Sequence, residues 1–507
     1  MNARPVNSTA GADSGLDRQT WIVAGVVIVG IVMSVIDTTI VNVALDTLAR
    51  ELHSPFGTIQ WVSTGYLLSL AVVIPLAGWM SERFGSKRVW MVSVALFGLG
   101  SALSGLAWSA GSLIFFRILQ GFGGGMIQPV ALSVLAQTAG PHRMGRVISV
   151  VGAPILLGPI LGPVIGGLIV DNTSWRWIFY VNVPIAVLAL ALAARFLSSD
   201  TGRADAGRLD WLGLSLLSPG LAAIVFGLSE TESQGGIGHP IAFGPIVVGA
   251  VLIALFVLHS LRVDRPLLDI RLFRNLQFSA AAAATFLIPA ALFGTLLVLP
   301  LYYQVARGQT ALTAGLLMAP QGIGAALALP FAGRLVDRIG GGRVVLAGTI
   351  IVTLATVPLM LVGPETSYAL LAGVLVVRGI GMGSSMLPAT AAAFAVLRPE
   401  EVPRASSVLN TLQRIGGSIG TALLAVVLQH EARAALPASS GSSGGLLQPL
   451  PEGARAEFAG PLATAFGHTF TWAFALTLIA ILPAAVLAIS ERSARSAGQR
   501  LQPAVSQ

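Results

Sequence analysis

Residues 21–45 read WIVAGVVIVGIVMSVIDTTIVNVAL, a stretch in which Asp37 is the single ionisable side chain. At 1.5 Å of rise per residue, about 20 mostly apolar residues cross the hydrocarbon of a bilayer, so this stretch predicts a membrane-spanning helix. It is too long for the apolar core of a signal peptide and no convincing cleavage site follows it, so it is expected to stay in the mature protein. The same pattern recurs along the chain. Fourteen apolar runs are expected to span, at roughly 21–45, 59–80, 88–108, 111–137, 145–170, 175–196, 211–229, 240–261, 276–303, 311–333, 343–362, 367–395, 405–430 and 469–490. Of the 507 residues, 54% are hydrophobic and 10% charged, and the mean hydropathy is +0.81. An ordinary soluble domain carries about 25% charged residues, which excludes a string of soluble domains. The absence of cysteine excludes disulfides, thiolate metal sites and thiol nucleophiles.

A net charge of +8 and a sequence pI near 10.8 would suit a nucleic-acid binder only if the cations shared one soluble face. They sit instead in alternate loops. With the N-terminal tail placed on one side and the runs alternating, that side receives 22 of the 30 basic residues and the other only Arg50, Arg307, Arg433 and Arg455. Positive charge marks cytoplasmic loops, so both termini are expected in the cytoplasm and no nucleic acid is expected as a partner. All nine tryptophans fall within a few residues of an expected span end, where an indole has one wet and one apolar edge.

The two halves repeat. Gly78-Trp79-Met80-Ser81-Glu82-Arg83-Phe84-Gly85 follows the second run, and Gly333-Arg334-Leu335-Val336-Asp337-Arg338-Ile339-Gly340 follows the tenth. Arg117-Ile118-Leu119-Gln120-Gly121-Phe122-Gly123 is echoed by Arg378-Gly379-Ile380-Gly381-Met382-Gly383. The paired motifs lie 255 and 261 residues apart. They keep the same orientation in the membrane if eight runs separate them, six per half plus two inserted. This predicts an all-α membrane protein with a cytoplasmic tail at 1–20, a six-helix bundle at 21–200, two inserted helices at 201–275, a second six-helix bundle at 276–490 and a cytoplasmic tail at 491–507. The Ser/Gly-rich 431–468 reads as a flexible outer loop. Repeats of this kind build secondary transporters, with the substrate site between the halves.

Asp37 is the one acid placed well inside a span, and a carboxylate in hydrocarbon is functional by default because a structural helix has no use for it. It lies roughly 12 Å below the outer end of its helix, and Arg117 roughly 9 Å below the same side, so the two are expected at similar depth. A guanidinium that competes with a proton for the carboxyl would load and unload that proton as the halves move. The alternative is a static ion pair, or Asp37 capping local backbone with Thr38, Thr39 and Asn42. The fifth run carries Gly158, Pro159, Gly162, Gly166 and Gly167; its four-residue glycine spacing lines one face for close helix contact, and its prolines bend it. A gating role and an ordinary tight crossing are equally compatible with that spacing. Asn42, Tyr66, Gln128, Phe293, Tyr302, Tyr303 and Arg378 are candidate pocket residues, each individually more compatible with packing. The six histidines do not pair at metal-ligand spacing, and no phosphate loop, nucleophile elbow or paired carboxylates occur. No metal, no cofactor and no enzymatic activity are expected.

These segments resemble the major facilitator superfamily, and within it the fourteen-helix drug:proton antiporter branch. Asp37 to Leu45 is similar to that branch's first-helix motif, whose aspartate the resemblance links to proton coupling. Gly78 to Arg88 resembles the loop signature after the second helix, with Glu82 where aspartate is usual and Gly85 in place. Arg117 to Gly123 resembles the fourth-helix motif, whose arginine is linked to proton transfer. Gly158-Pro159 through Gly166-Gly167 resembles the fifth-helix motif of exporters. Trp175 to Pro184 and Pro266 to Asp269 also resemble segments of the branch. The resemblance implies a proton-driven exporter in the bacterial cytoplasmic (inner) membrane, with Asp37 and Arg117 coupling protons and the loop motifs, including Asp337 and Arg338, gating. Its cargo would be a lipophilic compound, cationic or amphipathic. Its other partners would be protons, the lipid bilayer and, beyond this chain, an accessory periplasmic or outer-membrane component. Proton-coupled uptake, or export of one endogenous metabolite, is the alternative.

Overall fold

The computed structural model describes residues 17–139, 152, 158, 161–162, 165–170, 172–198, 202, 207–233, 239–264, 266–398, 400–435 and 452–501. Among them there is no strand. The helices are α1 (Arg18–Glu51), α2 (Phe56–Val73), α3 (Leu76–Phe84), α4 (Ser86–Gly105), α5 (Ala110–Ala139), α6 (Trp177–Tyr180), α7 (Asn182–Phe196), α8 (Trp211–Ser233), α9 (Pro240–Arg262), α10 (Leu276–Leu301), α11 (Ala311–Ile339), α12 (Gly341–Thr356), α13 (Tyr368–Phe394), α14 (Val402–Ala435) and α15 (Glu452–Leu501).

Twelve helices among the described residues are long and apolar enough to cross a membrane, and α2 with α3 forms a thirteenth, bent by 55°. The bend falls at Ile74-Pro75, where a residue without an N–H interrupts the ladder. These thirteen coincide with thirteen of the fourteen expected runs. The remaining one, 145–170, lies mostly outside the described residues, as do Pro159 and residues 436–451 of the expected loop 431–468. The rest of that loop is helical and not flexible coil: 431–435 end α14, and 452–468 open α15, whose helix starts well before the expected span. The outer surface is what a bilayer requires: Leu361 is 80% exposed and Phe331 69%, side chains that would aggregate a soluble protein.

The internal repeat is visible in the backbone. α3 turns into α4 at Gly85 with φ 86°, and α11 turns into α12 at Gly340 with φ 101°. Both are left-handed conformations that favour glycine, and both close the same eight-residue motif. After Gly340, the Glu491 carboxylate accepts from the amides of Gly341 (3.1 Å) and Gly342 (2.6 Å) at the buried N-terminus of α12.

The inserted helices α8 and α9 pack on each other through Gly220, Gly227 and Gly249: a Cβ on Gly227 or Gly249 would come within 2.7 or 2.6 Å of a partner carbonyl oxygen, and one on Gly220 within 3.2 Å. Ser218 of α8 donates to the Val72 carbonyl of α2 at 2.7 Å, fixing the pair to the first bundle. Asp210 staples their ends: it caps Gly213 N (2.8 Å), accepts from Leu267 N (3.2 Å) and meets His259 Nε2 at 2.8 Å.

Candidate functional site

Asp37 lies in the middle of α1 and has no exposed surface; Arg117 of α5 is 1% exposed. Their contact is direct, with Arg117 Nη1 2.6 Å from Asp37 Oδ2. A carboxylate removed from water needs its lone pairs filled, and the neighbours supply this. Gln120 Nε2 donates to Asp37 Oδ1 at 3.0 Å and Asn182 Nδ2 at 2.9 Å. Asn182 also donates to Ser101 Oγ at 3.1 Å, and Ser101 in turn donates to the Phe179 carbonyl at 2.8 Å. The site therefore ties α1, α4, α5, α6 and α7 through one carboxyl group.

The guanidinium is held as carefully as the acid. Its Nη1 also donates to Gln120 Oε1 (2.8 Å) and its Nε to the Val62 carbonyl (3.3 Å). Its carbon lies 4.0 Å from the centre of the Tyr66 ring and 5.6 Å from that of Phe179, so aromatic faces replace water over the cation. The Tyr66 hydroxyl is buried with no hydrogen-bond partner. Gly121, Gly124 and Gly125 let α5 approach α2 this closely: a Cβ on Gly121 would strike Ser69, and one on Gly124 would sit 2.9 Å from the Tyr66 hydroxyl.

The glycine-rich fifth run meets α1 on the turns flanking Asp37. A Cβ on Gly158 would strike Val35, one on Gly162 would strike Thr39, and one on Gly166 would lie 2.9 Å from the Ile40 carbonyl, whereas Gly167 faces open space. Thr39 Oγ1 donates to the Gly158 carbonyl at 3.3 Å.

A second set of residues joins the two halves at the end of the molecule where α3 lies. Arg404 of α14 donates from Nε to Glu82 Oε1 and from Nη2 to Glu82 Oε2, both at 2.8 Å. A Cβ on Gly78 would come within 3.0 Å of the Arg404 and Pro403 backbone. Ser406 donates to the Pro129 carbonyl of α5 at 3.0 Å, and Gly152 lies against Leu387 of α13. Arg83 and Arg338 are exposed and Asp337 is partly buried.

The pocket candidates scatter. Asn42 accepts from Ser63 at 3.0 Å on the exposed side of α1, Gln128 is partly buried, and Phe293 packs where a Cβ on Gly417 would come within 2.8 Å of its ring. Tyr302 and Tyr303 are fully buried in an apolar cluster, and the Tyr302 hydroxyl donates to the Gly363 carbonyl at 2.7 Å. Arg378 is 1% exposed and donates from Nη1 to Gln321 Oε1 at 2.9 Å. Sequence reasoning passed over Gln120, Asn182, Ser101 and Arg404 as functional residues. The first two sit inside motifs quoted above, and the available signal was an amide in an otherwise apolar run. Among the described residues no group of three or more His, Asp or Glu is placed to hold a metal.

The Major Facilitator Superfamily profile matches residues 27–421. The chain is 38% identical to the multidrug resistance protein B homolog of Mycobacterium tuberculosis, across 97% of this chain and 95% of the relative. It is 28% identical to the lincomycin resistance protein LmrB of Listeria innocua, across 80% of this chain and 85% of that protein. Among solved structures, the human organic anion transporter MFSD10 superposes with a TM-score of 0.58 at 15% identity, covering 91% of this chain and all of that one.

Proposed function

The chain belongs to the major facilitator superfamily, and from that premise we propose that it is a proton-driven exporter of lipophilic or amphipathic compounds, working as a drug:proton antiporter. Two relatives named for drug resistance support the cargo class and the outward direction. The single observation that carries the coupling is the sealed Asp37–Arg117 pair.

Asp37 in its ionised form satisfies Arg117. A proton on Asp37 removes that anion and leaves a guanidinium buried without compensation, an arrangement that costs several kcal/mol. The strain falls on the α1–α5 contact. α5 also carries Pro129, twelve residues from Arg117 or about 18 Å along the helix, and the Pro129 carbonyl is held by Ser406 of the other half. Protonation at one end of α5 is thereby tied to the contact between halves at the other. The cycle alternates between two states: a deprotonated one with Asp37 on Arg117 and the Glu82–Arg404 end shut, and a protonated one in which α5 releases that end.

The excess of basic residues in the loops on this side supports a cytoplasmic location for the Glu82–Arg404 end and both termini, in a bacterial inner membrane. The shut end then faces inward and this state is open or occluded toward the outside. An accessory periplasmic or outer-membrane component is compatible with this orientation and would have to be supplied by another chain.

The test is Asp37→Asn in proteoliposomes under an imposed pH gradient. Loss of gradient-driven flux with retained substrate binding is expected. Undiminished gradient-driven flux removes Asp37 from the coupling. Loading by everted vesicles, in preference to right-side-out ones, distinguishes export from uptake.

A further inference from the structure

Arg117 and Arg378 occupy corresponding places in the two repeats, and only one of them has an acid. In the first half the guanidinium is met by Asp37 of α1. Displaced by the repeat offsets, the place of Asp37 in the second half falls on residues 292–298 of α10, which read LFGTLLV. From 276 to 430 the acids are Asp337, in the last turn of α11, and Glu365, Glu400 and Glu401, which lie between helices. Arg378 is accordingly left with one bond, to Gln321, while its Nε and Nη2 are buried with no partner. A desolvated guanidinium with two empty donors is costly, and it persists where something else completes it.

Arg414 of α14 repeats the imbalance. It is partly buried, forms no hydrogen bond or ion pair with a described residue, and lies within electrostatic reach of Tyr66, across the interface between the halves. Arg378 lies ten residues into α13, about 15 Å from its start, and Arg414 twelve residues into α14, about 18 Å from its start. Both are therefore near mid-depth, where transporters of this architecture hold their cargo. The spans hold the fully buried Arg117 and Arg378 and the partly buried Arg414 against Asp37, which is consumed by the first of them. At this depth the described residues offer a lipophilic cation no carboxylate beyond Asp37, whereas Arg378 keeps two empty donors.

We propose that the cargo is a lipophilic acid whose anionic oxygen supplies the missing acid of the second repeat, accepting from Arg378 at mid-membrane with Arg414 adding attraction from α14. This names the substrate class of the exporter proposed above and rests on that reading for the word cargo. It replaces the expected cationic preference, which the composition alone had left open. The planar guanidinium favours a carboxylate, which takes two parallel N–H bonds, over a spherical ion.

Equilibrium binding tests this without any proton gradient. The protein in nanodiscs is titrated with pyrenebutyrate, pyrenebutanol and pyrenebutyl-trimethylammonium, which differ only in the head group, reading energy transfer from tryptophan and subtracting empty nanodiscs. The expected order is carboxylate tightest, by about tenfold over the cation. Arg378→Gln should bring the two within about threefold, with Arg378→Lys retaining part of the preference and Arg414→Gln weakening it less. A wild-type preference for the cation, no head-group discrimination, or an unchanged preference in a monodisperse Arg378→Gln protein overturns the proposal. Displacement of pyrenebutyrate by millimolar chloride also overturns it, assigning Arg378 to an inorganic ion. Asp37→Asn should retain the head-group order, so failed coupling and failed anion recognition are read separately.

Discussion

Arg404 grips both oxygens of Glu82 from the opposite half of the molecule, 322 residues away, with two parallel bonds of 2.8 Å. The fork geometry makes this stronger than a single-point ion pair, and both side chains are less than a fifth exposed. Glu82→Gln keeps the shape and removes the charge, so the joint between α3 and α14 should loosen. The chain has no cysteine, so one placed at buried Ala405 is a unique reporter. Its maleimide labelling rate should rise several-fold in Glu82→Gln; an equal rate would mean that the pair does not hold this end shut. Glu82→Asp, which is one methylene shorter, should fall between them.

The Asp37–Arg117 pair makes a non-additive prediction. Removing either partner leaves a buried charge uncompensated, so Asp37→Asn and Arg117→Gln should each destabilise by about 3–5 kcal/mol. The double substitution leaves neutral groups of similar size and should recover much of that loss, while gradient-driven flux stays absent. Thermal unfolding of the purified variants reads the stabilities. Additive losses would show that the two side chains act independently.

Much of this molecule is legible in one dimension because a bilayer imposes simple constraints. Run length gives the spans, and the repeat Gly78–Gly85 against Gly333–Gly340 relates the two halves, as the matching left-handed turns at Gly85 and Gly340 bear out. The depth of Asp37 and Arg117 is legible too, since both are counted from helix ends. Azimuth is not. Which way α7 turns Asn182, or which face of α14 carries Arg404, depends on packing between distant helices, and the 3.6-residue alternation of polar and apolar faces is lost in helices that are apolar all round. Tyr302 and Tyr303 show the converse. An aromatic pair near a span end suggests a pocket wall, yet both are sealed in an apolar cluster.

Glycines of the fifth run separate contact from mere composition. A Cβ at Gly162 would strike Thr39, two residues from Asp37, while Gly167 has nothing within 4 Å. Gly162→Ala should therefore force α1 away and disturb the Asp37 site, lowering gradient-driven flux at least several-fold. Gly167→Ala should be within about 0.5 kcal/mol of wild type and transport normally. Equal behaviour of the two in a flux assay at matched expression would remove the tight crossing from the mechanism.

Asn182 is the residue through which α7 touches the buried acid. Its amide donates to Asp37 and to Ser101, and without it Asp37 Oδ1 keeps only the bond from Gln120. Asn182→Leu fills the space and removes both bonds, so a loss of about 1–3 kcal/mol in stability is expected from the under-satisfied carboxylate. A purely structural asparagine would lower stability and leave the coupling of each folded molecule intact. A positioning role predicts more: flux driven by the pH gradient should fall relative to downhill substrate flux in the same proteoliposomes, and Asn182→Gln should rescue part of it. If both fluxes fall in proportion, Asn182 supports the fold and does not set the state of Asp37.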